Sequence, residues 1–210
     1  MPRIWRAAAV LLLALFVLVV GLVALRGSAS TISGRGEGIS FSFSYRGLQR
    51  RPAPAGALAL LDARRGGQVI AQIELRPLHL PAYGGDVIGI EPLIAANYMR
   101  AFAKRTPGVV VSGAGPTVVN GAAGYNFTYT RRERAGTYFG RVIFLTAPTT
   151  HPRRGLIVSL LAQPVLSGVI GHGAGALAGA LYEPGQGGVG VLFQPSGLLS
   201  LPLATLRLSG

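Results

Sequence analysis

Residues Ile39-Ser40-Phe41-Ser42-Phe43-Ser44-Tyr45 alternate without a break between an apolar side chain and serine. A period of two belongs to a strand with one buried face, so Ile39, Phe41, Phe43 and Tyr45 face a core and the serines face away from it. The same period returns downstream. In Gln68–Arg76, Val69, Ala71, Ile73 and Leu75 fall on one face, with Gln72, Glu74 and Arg76 on the other. In Gly124–Arg131, Tyr125, Phe127 and Tyr129 alternate with Asn126, Thr128 and Thr130. Ala57–Leu61, Val109–Ser112, Thr137–Ala147, Gly155–Ala162 and the tail Leu198–Leu208 read as further strands. Arg64–Gly67 reads as a hairpin turn and Arg132–Gly136 as a charged hairpin tip, while Pro77–Gly89 and Pro148–Arg154 read as longer connections.

One soluble segment has a different period. Glu91–Arg105 places Ile94, Tyr98 and Phe102 at i, i+4 and i+8, a helical apolar stripe. Pro92 suits a first turn, where its missing N–H costs nothing. Lys104 and Arg105 suit the negative end of the helix dipole, and Thr106-Pro107 stops the helix. Strands follow strands without helices between them, so the spacing predicts an antiparallel meander in an α+β domain rather than a doubly wound parallel sheet.

The N-terminus is of another kind. Ala7–Leu25 runs without a charge, between Arg3 and Arg6 on one side and Arg26 on the other. As a helix it is about 28 Å long at 1.5 Å per residue, close to the roughly 30 Å of a bilayer core. Trp5 stands where an interfacial anchor belongs, and Leu11, Leu12, Leu13, Phe16, Val19 and Leu22 would face lipid. The competing reading is a cleaved signal peptide, whose apolar region is shorter and ends in a small-x-small site. Ser28-Ala29-Ser30 matches that site poorly, so the preferred reading is an uncleaved signal-anchor over residues 1–26. The basic tail puts the N-terminus inside and the following domain outside the cytoplasm. Residues 27–37 read as a flexible small-residue linker, 38–165 as the α+β domain and 166–210 as a Gly-rich extension packing on it.

Composition narrows the function classes. The chain has 210 residues, room for one domain plus a membrane segment. It has no cysteine, which removes disulfides, thiolate metal sites and thiol nucleophiles. Its formal net charge is +13, carried almost wholly by arginine. With the abundant Ala, Gly, Leu and Val, that bias is what a GC-rich bacterial coding sequence produces. The arginines are scattered and no nucleic-acid-binding motif accompanies them, so no nucleic-acid partner is expected.

No cofactor, metal or catalytic constellation is expected. His79, His151 and His172 lie far apart in sequence, without carboxylates at ligand spacing. The glycines of 171–179 do not form a phosphate-binding fingerprint, and no serine sits in a nucleophile elbow. Asn126-Phe127-Thr128 matches the glycosylation sequon but lies mid-strand. Asp86 is the least explained acid, and a small envelope enzyme built on Asp86, His79 or His151 is the alternative function. A two-span membrane component, with Leu166–Tyr182 as second span, is the alternative topology. The candidate binding surface consists of Tyr83, Tyr138 and the hairpin arginines Arg131, Arg132 and Arg134.

The opening GISFSFSYRG, the helix ending AFAKRTPG, and the later NGAAGYNFTYT, GRVIFL and RGLIVSLLAQP resemble the PsbP/Mog1/LpqN-like group of domains over about residues 38–164. Arg46 departs from it where proline is common, and Leu48 where tryptophan often follows. The resemblance implies a curved antiparallel sheet packed by one or two helices. It also implies a binding or assembly accessory rather than an enzyme, and it transfers no functional residue. The expected protein is a single-pass membrane protein: an extracytoplasmic binding or accessory domain held to the lipid bilayer by its N-terminal helix. Its partner is expected to be an envelope protein or an anionic polymer.

Overall fold

A computed structural model describes residues 28–81, 87–147, 154–163 and 197–209. The alternating serine segment is a strand, β2 (Ile39–Tyr45), with Ile39, Phe41 and Phe43 buried. It lies in the middle of a three-stranded sheet, between β1 (Ser30–Gly36) and β10 (Arg207–Ser209). The expected linker over residues 27–37 is therefore corrected, because most of it is β1. Its glycines make room rather than slack. A Cβ on Gly34 would lie 2.6 Å from Cζ of Phe41, and one on Gly36 2.5 Å from Cδ2 of Leu58. Glu37 and Gly38 turn the chain with φ of 54° and 78°, the left-handed pair of a tight hairpin.

The second sheet has seven strands in the order β3-β4-β5-β9-β8-β7-β6. They are β3 (Gln49–Arg51), β4 (Ala59–Arg65), β5 (Gln68–His79), β6 (Val109–Val119), β7 (Ala122–Glu133), β8 (Gly136–Thr146) and β9 (Arg154–Ala162). Every pairing is antiparallel. β6 to β9 form a meander, and β9 closes onto β5. β8 and β9 lie at the centre and are buried on both faces through most of their length, which is why both read as unbroken apolar runs.

Helix α1 (Val87–Arg105) begins a turn earlier than Pro92 suggests. The proline sits inside the helix, where its ring leaves the Ile88 carbonyl without its usual donor. The tail is also corrected. Residues 198–208 are not one strand but a 3-10 turn (Gly197–Leu199), a short helix α2 (Ser200–Thr205) and then β10. Leu199, Leu203 and Leu206 recur at helical spacing and are buried together. Asn120, with φ of 49° in the β6–β7 turn, donates to the Leu203 and Leu206 carbonyls at 2.9 and 2.7 Å, supplying donors at the end of α2.

The seven-stranded sheet separates two cores. On one face Leu61, Ile73, Leu75, Ile143, Leu145, Leu156, Val158 and Leu160 meet Ile32, Phe41 and Phe43 of the small sheet and the α2 leucines. On the other, Phe127, Tyr129, Tyr138, Val142, Phe144 and Ile157 meet Ala95, Ile94, Tyr98 and Phe102 of α1. No helix among the described residues is long and apolar enough to cross a membrane. The apolar run with Trp5, Leu11, Leu12, Leu13, Phe16, Val19 and Leu22 lies outside the described residues, as does Leu166–Tyr182.

β6 is a long edge strand on which Val110 and Val118 are 63% and 65% exposed. The reading of a short strand ending at Ser112 is corrected: the register shifts between Val111 and Gly113, and pairing continues to Val119. Pro116 lies on this edge, where a missing N–H costs no ladder bond and denies a donor to any added strand.

Among the described residues one ion-pair cluster has a buried carboxylate. Asp62, only 2% exposed, accepts from Nε of Arg51 and Nε of Arg64, each at 2.8 Å. Burial alone raises its carboxyl pKa, and the hydrogen bonds and charges of the two arginines more than offset this, leaving it below 3.8. A depressed folded-state pKa contributes stability that is present above the unfolded pKa and lost as pH falls through the folded value. Asp62→Asn is thus expected to cost about 2 kcal/mol near neutral pH. The difference between variant and parent should shrink steadily below about pH 4. Urea midpoints measured from neutral pH downward check this, and curves that stay parallel would contradict it.

Candidate anion-binding face

The structure does not assemble the expected binding surface. Tyr83 lies outside the described residues. Tyr138 is corrected: it is buried at 4% exposure, not displayed. The pleat of β8 turns it to the α1 side along with Val142 and Phe144. Arg131 pairs with Glu133 and lies over the Tyr138 ring, 5.9 Å from its centroid. Of the three hairpin arginines, only Arg132 and Arg134 are exposed.

The residues of the enzyme alternative fare similarly. Asp86 and His151 lie outside the described residues. His79, read as a loop residue, ends β5 and sets Nε2 2.6 Å from Oε2 of Glu37. Arg154 donates to the Glu37 carbonyl, so Glu37 joins the hairpin tip to the main sheet.

A second polar cluster ties strands together. Arg141 of β8, 5% exposed, donates from Nε to Oδ1 of Asn126 at 3.0 Å and from Nη2 to Oγ1 of Thr117 at 2.9 Å. Asn126 in turn donates to the Gly115 carbonyl at 2.8 Å. Burial pushes the Arg141 guanidinium below its ordinary range. The sequon residue is therefore engaged within the sheet. On the opposite face, burial chiefly pushes the Tyr129 hydroxyl up to about 12.

A different place has the form of a site. The outer face of the three-stranded sheet is a trough of about 440 Å³, lined by Ser33, Gly34 and Arg35 of β1, Ser40, Phe41 and Ser42 of β2, and Arg207 and Ser209 of β10. The pleat that buries Ile32, Phe41 and Phe43 forces the serines and arginines outward. Register places Arg207 opposite Ser42 and Ser209 opposite Ser40. Arg35 lies across β2 from them and donates from Nε to Oγ of Ser40 at 3.1 Å. Thr31 and Ser44 continue the row of hydroxyls, 3.1 Å apart. β1 and β10 are two strand spacings apart, about 10 Å, so two guanidinium arms flank a floor of short hydroxyl side chains. No acidic residue lines the trough. Among the described residues neither arginine has an ion pair, whereas Arg51, Arg64, Arg76 and Arg131 each have one. Forked donors beside hydroxyls suit a phosphate or carboxylate oxyanion.

No protein-family model and no curated protein sequence matches this chain. Solved structures similar to it include LpqN of Mycobacterium tuberculosis, a protein involved in cell envelope biogenesis, at 9% identity, with 65% of this chain and 80% of that one covered and a TM-score of 0.46. The PsbP protein (CyanoP) of Synechocystis is similar at 12% identity, with 64% and 80% covered and a TM-score of 0.48. The Ran-binding protein Mog1p of Saccharomyces cerevisiae is similar at 12% identity, with 86% and 95% covered and a TM-score of 0.46. LpqN, PsbP and Mog1 proteins all occur among these structural neighbours.

Proposed function

We propose that this chain is a membrane-anchored, extracytoplasmic binding or accessory domain, without a catalytic role, that holds an anionic partner on the outer face of its three-stranded sheet. The observation that carries the reading is the trough: two exposed arginines without acidic partners among the described residues, above a floor of serines. The net charge of +13 adds a long-range attraction for the same class of partner. The uncharged run Ala7–Leu25 supports the anchor.

Two measurements test it on the full chain. A phosphatase active only outside the cytoplasm, fused after Gly210, is expected to be active. A stably expressed but inactive fusion would overturn the topology. Binding of inorganic polyphosphate to the chain in neutral nanodiscs is expected to weaken steeply with added salt, because exposed charges are screened over about 8 Å at physiological ionic strength. The pair Arg35→Gln and Arg207→Gln should remove most of that binding, and equal affinity in parent and double variant would overturn the site.

A further inference from the structure

We infer that the anion held by this face is the phosphate of anionic lipid headgroups in the same membrane that takes the N-terminal apolar run. This deepens the anchored, anion-binding reading above and rests on it.

Chain length comes first. Leu25 ends the uncharged run and Ser30 begins β1. Even fully extended, that tether spans at most about 18 Å. Two trough residues, Ser33 and Arg35, lie on this first strand. With the run in a bilayer, that chain length limits the start of β1 to about 18 Å from the end of the run.

Charge comes second. Among the described residues, Asp62 is held by Arg51 and Arg64, Glu74 by Arg76 and Glu133 by Arg131, so these carboxylates are already matched by cations. Arg35 and Arg207 are exposed, and Arg46 at the end of β2 is exposed as well. The large apolar residue in the trough lining is Phe41, which is only 4% exposed. Such a face can rest on the phosphate layer but has nothing to insert into acyl chains.

Effective concentration favours lipid over a dilute soluble ligand. A basic residue at an anionic surface contributes about fivefold in binding, and a tether keeps headgroups near the face at millimolar effective concentration, which a dilute soluble ligand lacks.

The absence of native cysteine makes the test direct. The full chain carrying Ser42→Cys would be reconstituted in vesicles of phosphatidylcholine, alone or with about one third phosphatidylglycerol. Labelling of the outward-facing thiol by a membrane-impermeant maleimide is then timed. Ser209→Cys is a second reporter in case Ser42→Cys fails to fold, and Ala103→Cys on the exposed side of α1 is the control. Labelling in the trough is expected to slow at least fivefold with phosphatidylglycerol and to recover at about 0.5 M salt, where the screening length shrinks toward 4 Å. The control should not change. Arg35→Gln and Arg207→Gln should each reduce the protection about fivefold. Equal trough labelling in both lipids would overturn the inference. Inorganic polyphosphate added to neutral vesicles then separates the two failures. Protection by it would leave the anion-binding reading standing with a soluble partner, and no protection by either would remove both.

Discussion

Phe127→Ala is expected to cost about 3–5 kcal/mol, the range for emptying a large aromatic site in a packed core. Phe127 is fully buried on β7. Its ring lies within 6.0–6.2 Å of Phe102, Tyr98, Tyr129 and Phe144, so it touches rings from α1, its own strand and β8. Those neighbours also make two close edge contacts with each other: Tyr98 with Phe144 at 5.3 Å and Phe102 with Tyr129 at 4.8 Å. Removing the hub leaves these rings facing a cavity that aromatic groups fill poorly, and it weakens the attachment of α1 to the sheet. At about 2–4 °C per kcal/mol for a domain of this size, the melting temperature should fall roughly 10 °C. Amides of Ile94–Lys104 should exchange faster than those of β9, because α1 packs only on that face. Leu93→Ala is the control: Leu93 is 59% exposed, and surface changes stay within about 0.5 kcal/mol. A loss below about 1 kcal/mol for Phe127→Ala would mean that the aromatic cluster is not what holds the helix.

That helix and cluster were legible in the sequence for a physical reason. Tyr125-x-Phe127-x-Tyr129 has a period of two and Ile94, Tyr98, Phe102 a period near four, and each period names its own buried face. β2, β5, β8 and β9 were legible on the same grounds. β1 was not, because Gly34 and Gly36 have the composition of a linker. They are glycines since the Phe41 ring and Leu58 occupy the space of their Cβ atoms, a long-range fact with no local signature. The far half of β6 was hidden by Gly113, Gly115 and Pro116, residues that a free edge tolerates. In the tail, Leu199, Leu201 and Leu203 alternate like a strand, while Leu199, Leu203 and Leu206 also form a helical stripe; contact with the first core decides for the helix. Tyr138 looked available because it follows a charged hairpin tip, yet one step of the pleat turns it inward. The trough was out of reach for a different reason. Its serines read as the solvent side of β2, but Arg35 falls in a stretch with the composition of a linker and Arg207 in the tail. Only the pairing of β10 with β2 brings Arg207 beside Ser42. The signal available in advance was the choice of serine at three successive outward positions, side chains short enough to leave a hollow.

Gly124→Ala and Gly155→Ala are each expected to destabilise by about 3 kcal/mol, the upper part of the range for overpacking. Both glycines flank the same point of β8, Gly124 opposite Leu145 on β7 and Gly155 opposite Thr146 on β9. A Cβ on Gly124 would lie 2.0 Å from the Phe144 carbonyl oxygen, and one on Gly155 2.1 Å from that of Leu145. The obstacle is backbone in both cases, so no rotamer change relieves it and a strand has to move. β8 cannot shift away easily, since Val142, Ile143, Phe144 and Leu145 are all buried and fill both cores. Gly140 makes a useful contrast. Its Cβ would meet the Tyr129 ring at 2.1 Å, an obstacle that is a side chain and could rotate if Phe102 gave way. Gly140→Ala should therefore lose less than the other two, and Tyr129 should become easier to ionise than its pKa of about 12 in the parent. Because Gly124 and Gly155 act on adjacent peptides of one strand, the double variant should depart from additivity by more than about 0.5 kcal/mol. Denaturant midpoints for the three single variants and the double give this order directly. If Gly124→Ala were as stable as the parent, β7 would not approach β8 closely enough to require glycine, and the pinch at Phe144–Leu145 could not be what fixes the register of the central strands.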